Sequence, residues 1–296
     1  MTLAQIVKKS GLERREAEDL LGCVLKKDRA FVMAHVQDEL KPKEAIKFLD
    51  LCARRLKGEP FAYLVGFQPF LGCDFLVDKN TLIPRPETEG LAERAIERAK
   101  LAHQVRSKAV IVDVGTGSGC IAISAALACP FATVIASDVS DGALRVARKN
   151  AKRLDAKITF VKDDLLGRKV GRHIFGSRRH ASDVRRQTSG LIIVSNPPYL
   201  PSSDKKTMPR DVVKYEPSKA LFAGPDGTRL IVKLLKQIKS IPTSCSMTSD
   251  IRPSALLEID PSQSDKLKKL ATELFPDKIV KIEPDLCGRE RYLIIV

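Results

Sequence analysis

From residue 109 onward, near-continuous apolar runs alternate with amphipathic stretches, and this alternation restricts the possible fold more than any other feature of the chain. Strands are predicted at 109–114 (AVIVDV), 133–138 (TVIASD), 158–162 (ITFVK), 191–195 (LIIVS), 255–259 (ALLEI), 278–283 and 291–296. Helices are predicted at 120–128, 141–153, 226–239 and 263–274. Strands with apolar residues on both sides of the pleat are buried on both faces, so helices must cover both sides of a mostly parallel sheet. No helical pattern separates the final two strands, and Asp285 to Arg291 reads as a turn, so the last strand is expected to run antiparallel. The class is therefore α/β. A spanning helix is excluded, because the longest apolar run, Cys120 to Cys129, is roughly half the required length.

The first part of the chain follows a different pattern. Leu3, Ile6 and Val7, then Leu20, Leu21, Val24 and Leu25, then Ile46, Leu49, Cys52 and Leu56 recur at helical spacing with charged residues between them. Phe70, Phe75, Val77 and Leu82-Ile83, broken by Gly72 and Asp78-Lys79-Asn80, read as a β-hairpin leading into Pro84-Arg85-Pro86-Glu87-Thr88-Glu89. The expected organisation is a helical bundle over 1–68, a hairpin linker over 69–88 and an α/β domain over 89–296. Within the last, 167–190 and 241–254 are read as flexible loops.

The formal net charge is +15, from 51 Lys+Arg against 36 Asp+Glu, and such a surplus usually points to a polyanionic partner. Its distribution argues otherwise. Residues 167–190 hold seven basic side chains and one acid, whereas the rest of the chain is only mildly basic. That segment reads as a solvated loop, with an auxiliary grip on an acidic surface or on RNA as the sharper alternative. The seven cysteines form no CxxC pair and the four histidines complete no zinc spacing, so reduced thiols and no metal are expected. The N-terminus lacks an apolar core segment and carries Glu13, Glu16, Glu18 and Asp19, unlike a secretory or transit peptide, which leads to an expected cytoplasmic location.

Asp113-Val-Gly115-Thr116-Gly117-Ser118-Gly119 sits where the first strand of the alternating region turns into a helix. Glycines there allow positive φ and close approach of backbone to a ligand. A dinucleotide fingerprint would place its third glycine at position 120, which is Cys, and no phosphate-loop Lys follows. Asp138 closes the next strand, where a carboxylate can accept from both ribose hydroxyls of a nucleoside. Asp163-Asp164-Leu165 closes the one after, where an adenine could be met. The glycine spacing resembles the S-adenosylmethionine loop of Rossmann-like methyltransferases, in whose pattern Asp113 lies near the methionine ammonium.

Asn196-Pro197-Pro198-Tyr199 follows the fourth strand of this region. An amide or aromatic amino nitrogen is a poor nucleophile because its lone pair is delocalised. The Asn196 side-chain oxygen and the Pro197 backbone carbonyl can accept its two protons and hold it in line with a methyl donor. Proline removes competing N–H groups, and Tyr199 can pack on a planar acceptor. The motif resembles that of methyltransferases acting on DNA adenine N6, on guanine N2 of RNA, or on protein glutamine N5, and does not by itself choose among them.

The rest of the chain chooses. The helical start, Gly58 to Gly66 (GEPFAYLVG), Phe70-Leu71-Gly72, Leu82 to Glu89, Asp113 to Gly119, Asn196 to Tyr199, Tyr215-Glu216-Pro217, Gly224 to Gly227 and Asp285 to Arg291 together resemble the HemK/PrmC family of peptide chain release factor glutamine-N5 methyltransferases. The resemblance implies an N-terminal domain that docks a release factor and a Rossmann-like catalytic domain that uses S-adenosylmethionine. It implies Asp113, Gly115, Thr116, Gly117, Ser118, Gly119, Asp138, Leu165 and Asn196 as cofactor contacts. Asn196, Pro197, Pro198 and Tyr199 would hold the glutamine of the factor's Gly-Gly-Gln loop, with Asn196, Pro197 and Tyr199 catalytic. Pro84 to Glu89 would help line the pocket, and Glu216 would be either a site residue or, as the favoured reading, an anchor for a loop. A monomer is expected. Direct nucleic-acid binding is not expected, and 168–189 is the one segment that could support it.

Overall fold

A computed structural model of the chain describes residues 1–105, 107–175, 190–241 and 254–296. It divides into two compact units, Met1–Phe67 with Pro209–Tyr215, and Gln68–Met208 with Glu216–Val296. The boundary thus falls one residue before the expected one, and the short stretch 209–215 joins the N-terminal unit.

The N-terminal unit contains α1 (Leu3–Lys9), α2 (Arg14–Leu25), α3 (Arg29–Ala34), α4 (Pro42–Leu56) and α5 (Phe61–Val65). Local signals start these helices: Thr2 and Gln5 form a capping box on α1, Asp28 caps α3, and Pro42 opens α4 at its first position. Ile6, Leu20, Leu21, Val24, Phe48, Leu51 and Cys52 form its core. The helical pattern is as expected but the buried face of α4 is not. Ile46, Leu49 and Leu56 are exposed, because Phe48 and Leu51 take the inward positions on a helix that is apolar on two sides.

β1 (Phe67–Phe70), all but its first residue in the second unit, and β2 (Cys73–Leu76) form the hairpin, shorter than the sequence suggested. It is less a linker than part of the core, into which Phe70 and Phe75 are buried edge to face. Then come α6 (Pro86–Gln104), β3 (Val110–Val114), α7 (Cys120–Ala128), β4 (Thr133–Asp138), α8 (Asp141–Arg153), β5 (Thr159–Lys162), α9 (Arg168–Phe175) and β6 (Leu191–Ser195). After α10 (Arg210–Tyr215), which belongs to the N-terminal unit, follow α11 (Ser218–Leu221), α12 (Arg229–Lys239), β7 (Ser254–Glu258), α13 (Ser264–Leu274), β8 (Val280–Pro284) and β9 (Glu290–Ile295).

The seven-stranded sheet has the order β5-β4-β3-β6-β7-β9-β8. Strands β3 to β7 pair in parallel, and β9 lies antiparallel between β7 and β8, as expected for the last strand. Side-chain alternation sorts the two apolar layers. Ile111 of β3 faces the layer of α6 and α7, whereas Val110, Val112 and Val114 face that of α9, α12 and α13. Ala92, Ala95, Ala99 and Ala102 form a small-residue stripe on α6 within the first layer.

Residues 168–175, read as part of a flexible loop, are helical. Asp163 accepts from the N–H groups of Lys169 and Val170 at the start of α9, and Val170, Ile174 and Phe175 are buried. The basic composition obscured this short apolar face. The remainder of that loop, 176–189, and residues 242–253 of the other lie outside the described residues, and Ser254 begins β7.

Asn150 on α8 ties three pieces of this unit together. Its amide oxygen accepts from Leu76 N–H at 2.7 Å, and its amide nitrogen donates to the carbonyls of Leu76 and Ser118, both at 2.9 Å. Asn150→Ala is expected to lower stability by about 3 kcal/mol, one for each buried bond. Urea denaturation checks this, and a loss of less than about 0.5 kcal/mol would mean the three bonds contribute nothing.

Candidate active site

Because β3, β4, β5 and β6 are parallel, their carboxyl ends open on one edge of the sheet, and the chain must turn away there four times. Buried serines stitch this edge. Ser195 donates its hydroxyl to Val114 O at 2.6 Å, and Ser137 lies within 3.5 Å of both Asp113 O and Leu165 O.

The turn after β3 uses left-handed glycines, with φ of 74° at Gly115, 57° at Gly117 and 85° at Gly119. A Cβ on Gly115 would meet no atom of the described residues within 4 Å, so that side of the turn is an open cradle. Gly119 serves packing instead: a Cβ there would come within 2.9 Å of Ile123 and 3.2 Å of Ala147. Gly119 also occupies the cap position of α7, where it has no side-chain acceptor to contribute. Asp113 supplies one. Its Oδ2 accepts from Ala122 N–H at 3.2 Å and from the Thr116 hydroxyl at 2.6 Å, while Oδ1, also buried, has no hydrogen-bond partner among the described residues. Full burial outweighs these bonds and pushes the Asp113 carboxyl up to about 7. The side chains of Thr116 and Ser118 are buried, so a ligand in the cradle meets their backbone.

Asp138 accepts from Ser140 N–H (2.8 Å) and Gly117 N–H (3.0 Å), one on each oxygen, leaving each with a lone pair. Burial still raises its pKa above the ordinary carboxylate value. At the end of β5 the acids have other uses: Asp163 caps α9 and Asp164 pairs with Lys233. Leu165 adopts φ of 57°, a left-handed conformation uncommon for a branched side chain, and packs beside the α9 layer.

Asn196 follows β6 directly. Its amide nitrogen donates to the Thr88 hydroxyl at 2.9 Å, and Thr88 donates in turn to Glu258 Oε2 at 2.8 Å. The other oxygen of Glu258 accepts from the Tyr199 hydroxyl at 3.3 Å. Glu258, at the end of β7, is 1% exposed, and burial pushes its carboxyl up to about 7 against the opposing effects of Thr88, Arg291 and Tyr199. Burial, with the nearby Glu258 charge, raises the Tyr199 pKa well above its usual value. The backbone after Tyr199 is clamped as well. Gln263 donates to Tyr199 O (2.8 Å) and Asp226 O (3.1 Å), and Gly227 lies so close that a Cβ would sit 2.0 Å from Tyr199 O. Before α6, Glu216 accepts from Ile83 N–H at 3.2 Å and pairs with Arg85, which is the anchoring role expected of it.

Residues 3–66 match the model of the PrmC N-terminal domain, and residues 111–172 match that of a methyltransferase domain. The chain is 34% identical over 287 residues to the release factor glutamine methyltransferase of Staphylococcus aureus, covering 97% of this chain and 93% of that protein. It is 36% identical over 283 residues to the one from Koribacter versatilis, covering 95% and 90%. The chain belongs to the release factor glutamine methyltransferase family. A solved ribosomal protein L11 methylase from Lactobacillus delbrueckii aligns with 72% of this chain and 79% of its own, at 21% identity and a TM-score of 0.42.

Within this family member, the structure brings Gly115, Gly117, Asp138, Leu165 and Asn196–Tyr199 to one sheet edge. Sequence reasoning missed Thr88 and Glu258. Thr88 was legible only as part of Pro84 to Glu89, and the signal for Glu258 was a lone acid closing an otherwise apolar strand (ALLEI). Among the described residues, no helix is long and apolar enough to cross a membrane.

The raised Asp113 carboxyl has a testable consequence for stability. Between about pH 4 and pH 7 the folded chain keeps a proton there that the unfolded chain has released, so this group makes stability fall as pH rises. Asp113→Asn keeps an acceptor for Thr116 and Ala122 but removes the proton linkage. Urea melts across that range should show a shallower decline than the wild type, by as much as a few kcal/mol in total, whereas parallel curves would place the Asp113 pKa at its ordinary value.

Proposed function

We propose that this chain transfers a methyl group from S-adenosylmethionine to the side-chain amide nitrogen of the glutamine in the Gly-Gly-Gln loop of a peptide chain release factor. The observation that carries this reading is the disposition of Asn196. Its NH2 is committed to Thr88, which leaves its carbonyl oxygen to accept from an incoming amide. Full-length similarity to release factor glutamine methyltransferases supports the choice of acceptor.

The residues present fit the methyl donor. The open cradle at Gly115 admits a ligand against backbone, and Asp113 Oδ1, buried at the end of the preceding strand, has no hydrogen-bond partner among the described residues. Gly115 to Gly119 would hold the amino-acid portion, Asp138 the ribose hydroxyls and Leu165 one face of the adenine. S-adenosylmethionine supplies a methyl on a positively charged sulfur, which keeps the bonding pair as the methyl leaves. Asn196 Oδ1 and the Pro197 carbonyl accept the two protons of the acceptor NH2, orient its nitrogen and stabilise the charge developing on it. No strong base is required, since the nitrogen becomes acidic as the new N–C bond forms and its proton passes to these acceptors or to water. Pro197 and Pro198 fix the turn, and Tyr199, held by Glu258, packs on the planar amide.

The N-terminal helical unit serves docking of the factor. The exposed apolar residues Ile46, Leu49 and Leu56 along α4 support this, because packing within the unit leaves them without a buried role.

Incubation of the enzyme with labelled S-adenosylmethionine and, separately, a release factor, its loop Gln→Ala variant, DNA and rRNA tests the proposal. Label is expected in the intact factor alone. Label in nucleic acid, or undiminished label in the Gln→Ala factor, would replace this reading with an amino-nitrogen nucleic-acid methyltransferase. Asn196→Ala should lower transfer at least about 100-fold while S-adenosylmethionine binding, read by calorimetry, changes little. Equal loss of both would mean Asn196 serves the cofactor instead.

A further inference from the structure

Glu258 is adjacent in sequence to neither the glycine cradle nor the Asn-Pro-Pro-Tyr turn, yet both ends of that turn reach its carboxylate, Tyr199 directly and Asn196 through Thr88. One oxygen takes the Thr88 hydroxyl proton, and the other takes that of Tyr199. In its ionised form the Glu258 carboxylate can only accept, so Thr88 then spends its single proton on Glu258 and meets Asn196 with a lone pair. Asn196 must then turn its NH2 toward Thr88. The amide is thereby fixed in one of its two flips, the one with its carbonyl oxygen away from Thr88.

From this chain of donors and acceptors we infer that Glu258 is a positioning residue for methyl transfer: it sets the hydrogen-bond polarity of Thr88, and through it keeps the Asn196 carbonyl oxygen turned to the acceptor amide. The inference rests on the glutamine-methyltransferase reading above. Its physical content is that polarity, and not merely packing, is transmitted through the three residues. With a donor at position 258 the chain reverses. Thr88 would accept from 258 and donate to the Asn196 oxygen, and the flipped Asn196 would present NH2 to the substrate's own NH2, two donors facing each other. The burial of these links supports the inference, since water cannot substitute for a missing partner: Thr88 is 2% exposed and Glu258 is 1% exposed, with Asn196 half-buried at the edge. The neighbouring Arg291, whose Nη1 donates to Ile259 O, holds the next residue of the same strand end and leaves the carboxylate to Thr88 and Tyr199.

The test uses the full chain, with a release factor as acceptor. Glu258→Gln conserves shape but makes a donor available to Thr88. It is expected to lower kcat about 100-fold, with the affinity for S-adenosylmethionine and the KM for the factor changed little. Wild-type kcat in both Glu258→Gln and Thr88→Val would overturn the inference. Asn196→Asp alone sets a carboxylate against the Thr88 lone pair and should be equally impaired. In the double variant Glu258→Gln/Asn196→Asp the whole chain runs in reverse, from the amide introduced at position 258 to Thr88 to the carboxylate at position 196, which again turns an acceptor to the substrate. Its kcat should exceed the product of the single effects by at least about tenfold, whereas multiplicative effects would show that position 258 acts through structure alone. If Glu258→Gln melts early, Thr88→Val and Thr88→Ser decide: loss in the first and recovery in the second support the inference, and equal activities refute it. Absence of transfer to the factor by the wild type would refute the underlying function, and is distinguished from every outcome above by that control.

Discussion

Parallel pairing of β3 with β4 on one side and β6 on the other is the constraint on which the site depends. The register pairs Val114 with Ser137 and Asp113 with Val194, so the strands end within a residue or two of one another. Every connection must leave from the same edge, and residues far apart in sequence arrive together there. Gly115, Asp138, Leu165 and Asn196 owe their proximity to this register and not to any contact among themselves. Shifting one strand by a single residue would turn its buried side chains to the opposite layer, which the near-continuous apolar character of β3 and β6 resists on both faces.

Acids at this edge are used to orient other groups. Asp113 stands in for the missing side-chain cap of α7, Asp138 grips the cradle at Gly117, Glu216 holds the entry to α6 through Ile83 and Arg85, and Glu258 gathers Thr88 and Tyr199. Burying a carboxylate is costly unless its lone pairs are filled. Asp113 and Glu258 remain strained in that sense, with pKa values near neutrality, whereas a surface acid such as Asp226, paired with Lys266, is pulled down to about 2. The cost is concentrated where orientation matters most.

Much of this was legible in the sequence, for physical reasons. Near-continuous apolar strands identify a doubly covered sheet because burial on both faces leaves no position for polar residues. Helix 141–153 matches α8 because its Ser140 cap and its periodicity agree, and 120–128 matches α7 because the glycine turn before it and Cys129 after it bound one apolar run. The glycine turn and Asn196–Tyr199 are legible because each is a run of consecutive residues. What remained hidden depends on tertiary contacts. Periodicity could not say which of two apolar faces of α4 is buried, and the charge of 168–175 masked an amphipathic helix whose start is fixed by Asp163, several residues upstream. Thr88 and Glu258 are 170 residues apart, and nothing local in either segment announces a shared hydrogen bond.

The decisive observable is which atom receives the methyl group. Fragment-ion mass spectrometry of a release factor carrying nitrogen-labelled glutamine side chains, after incubation with the enzyme and S-adenosylmethionine, locates it. The methyl is predicted on the labelled amide nitrogen of the glutamine in the Gly-Gly-Gln loop. A methyl on any other residue of the factor would contradict the proposed site, in which Asn196 and Pro197 hold an amide NH2 between them.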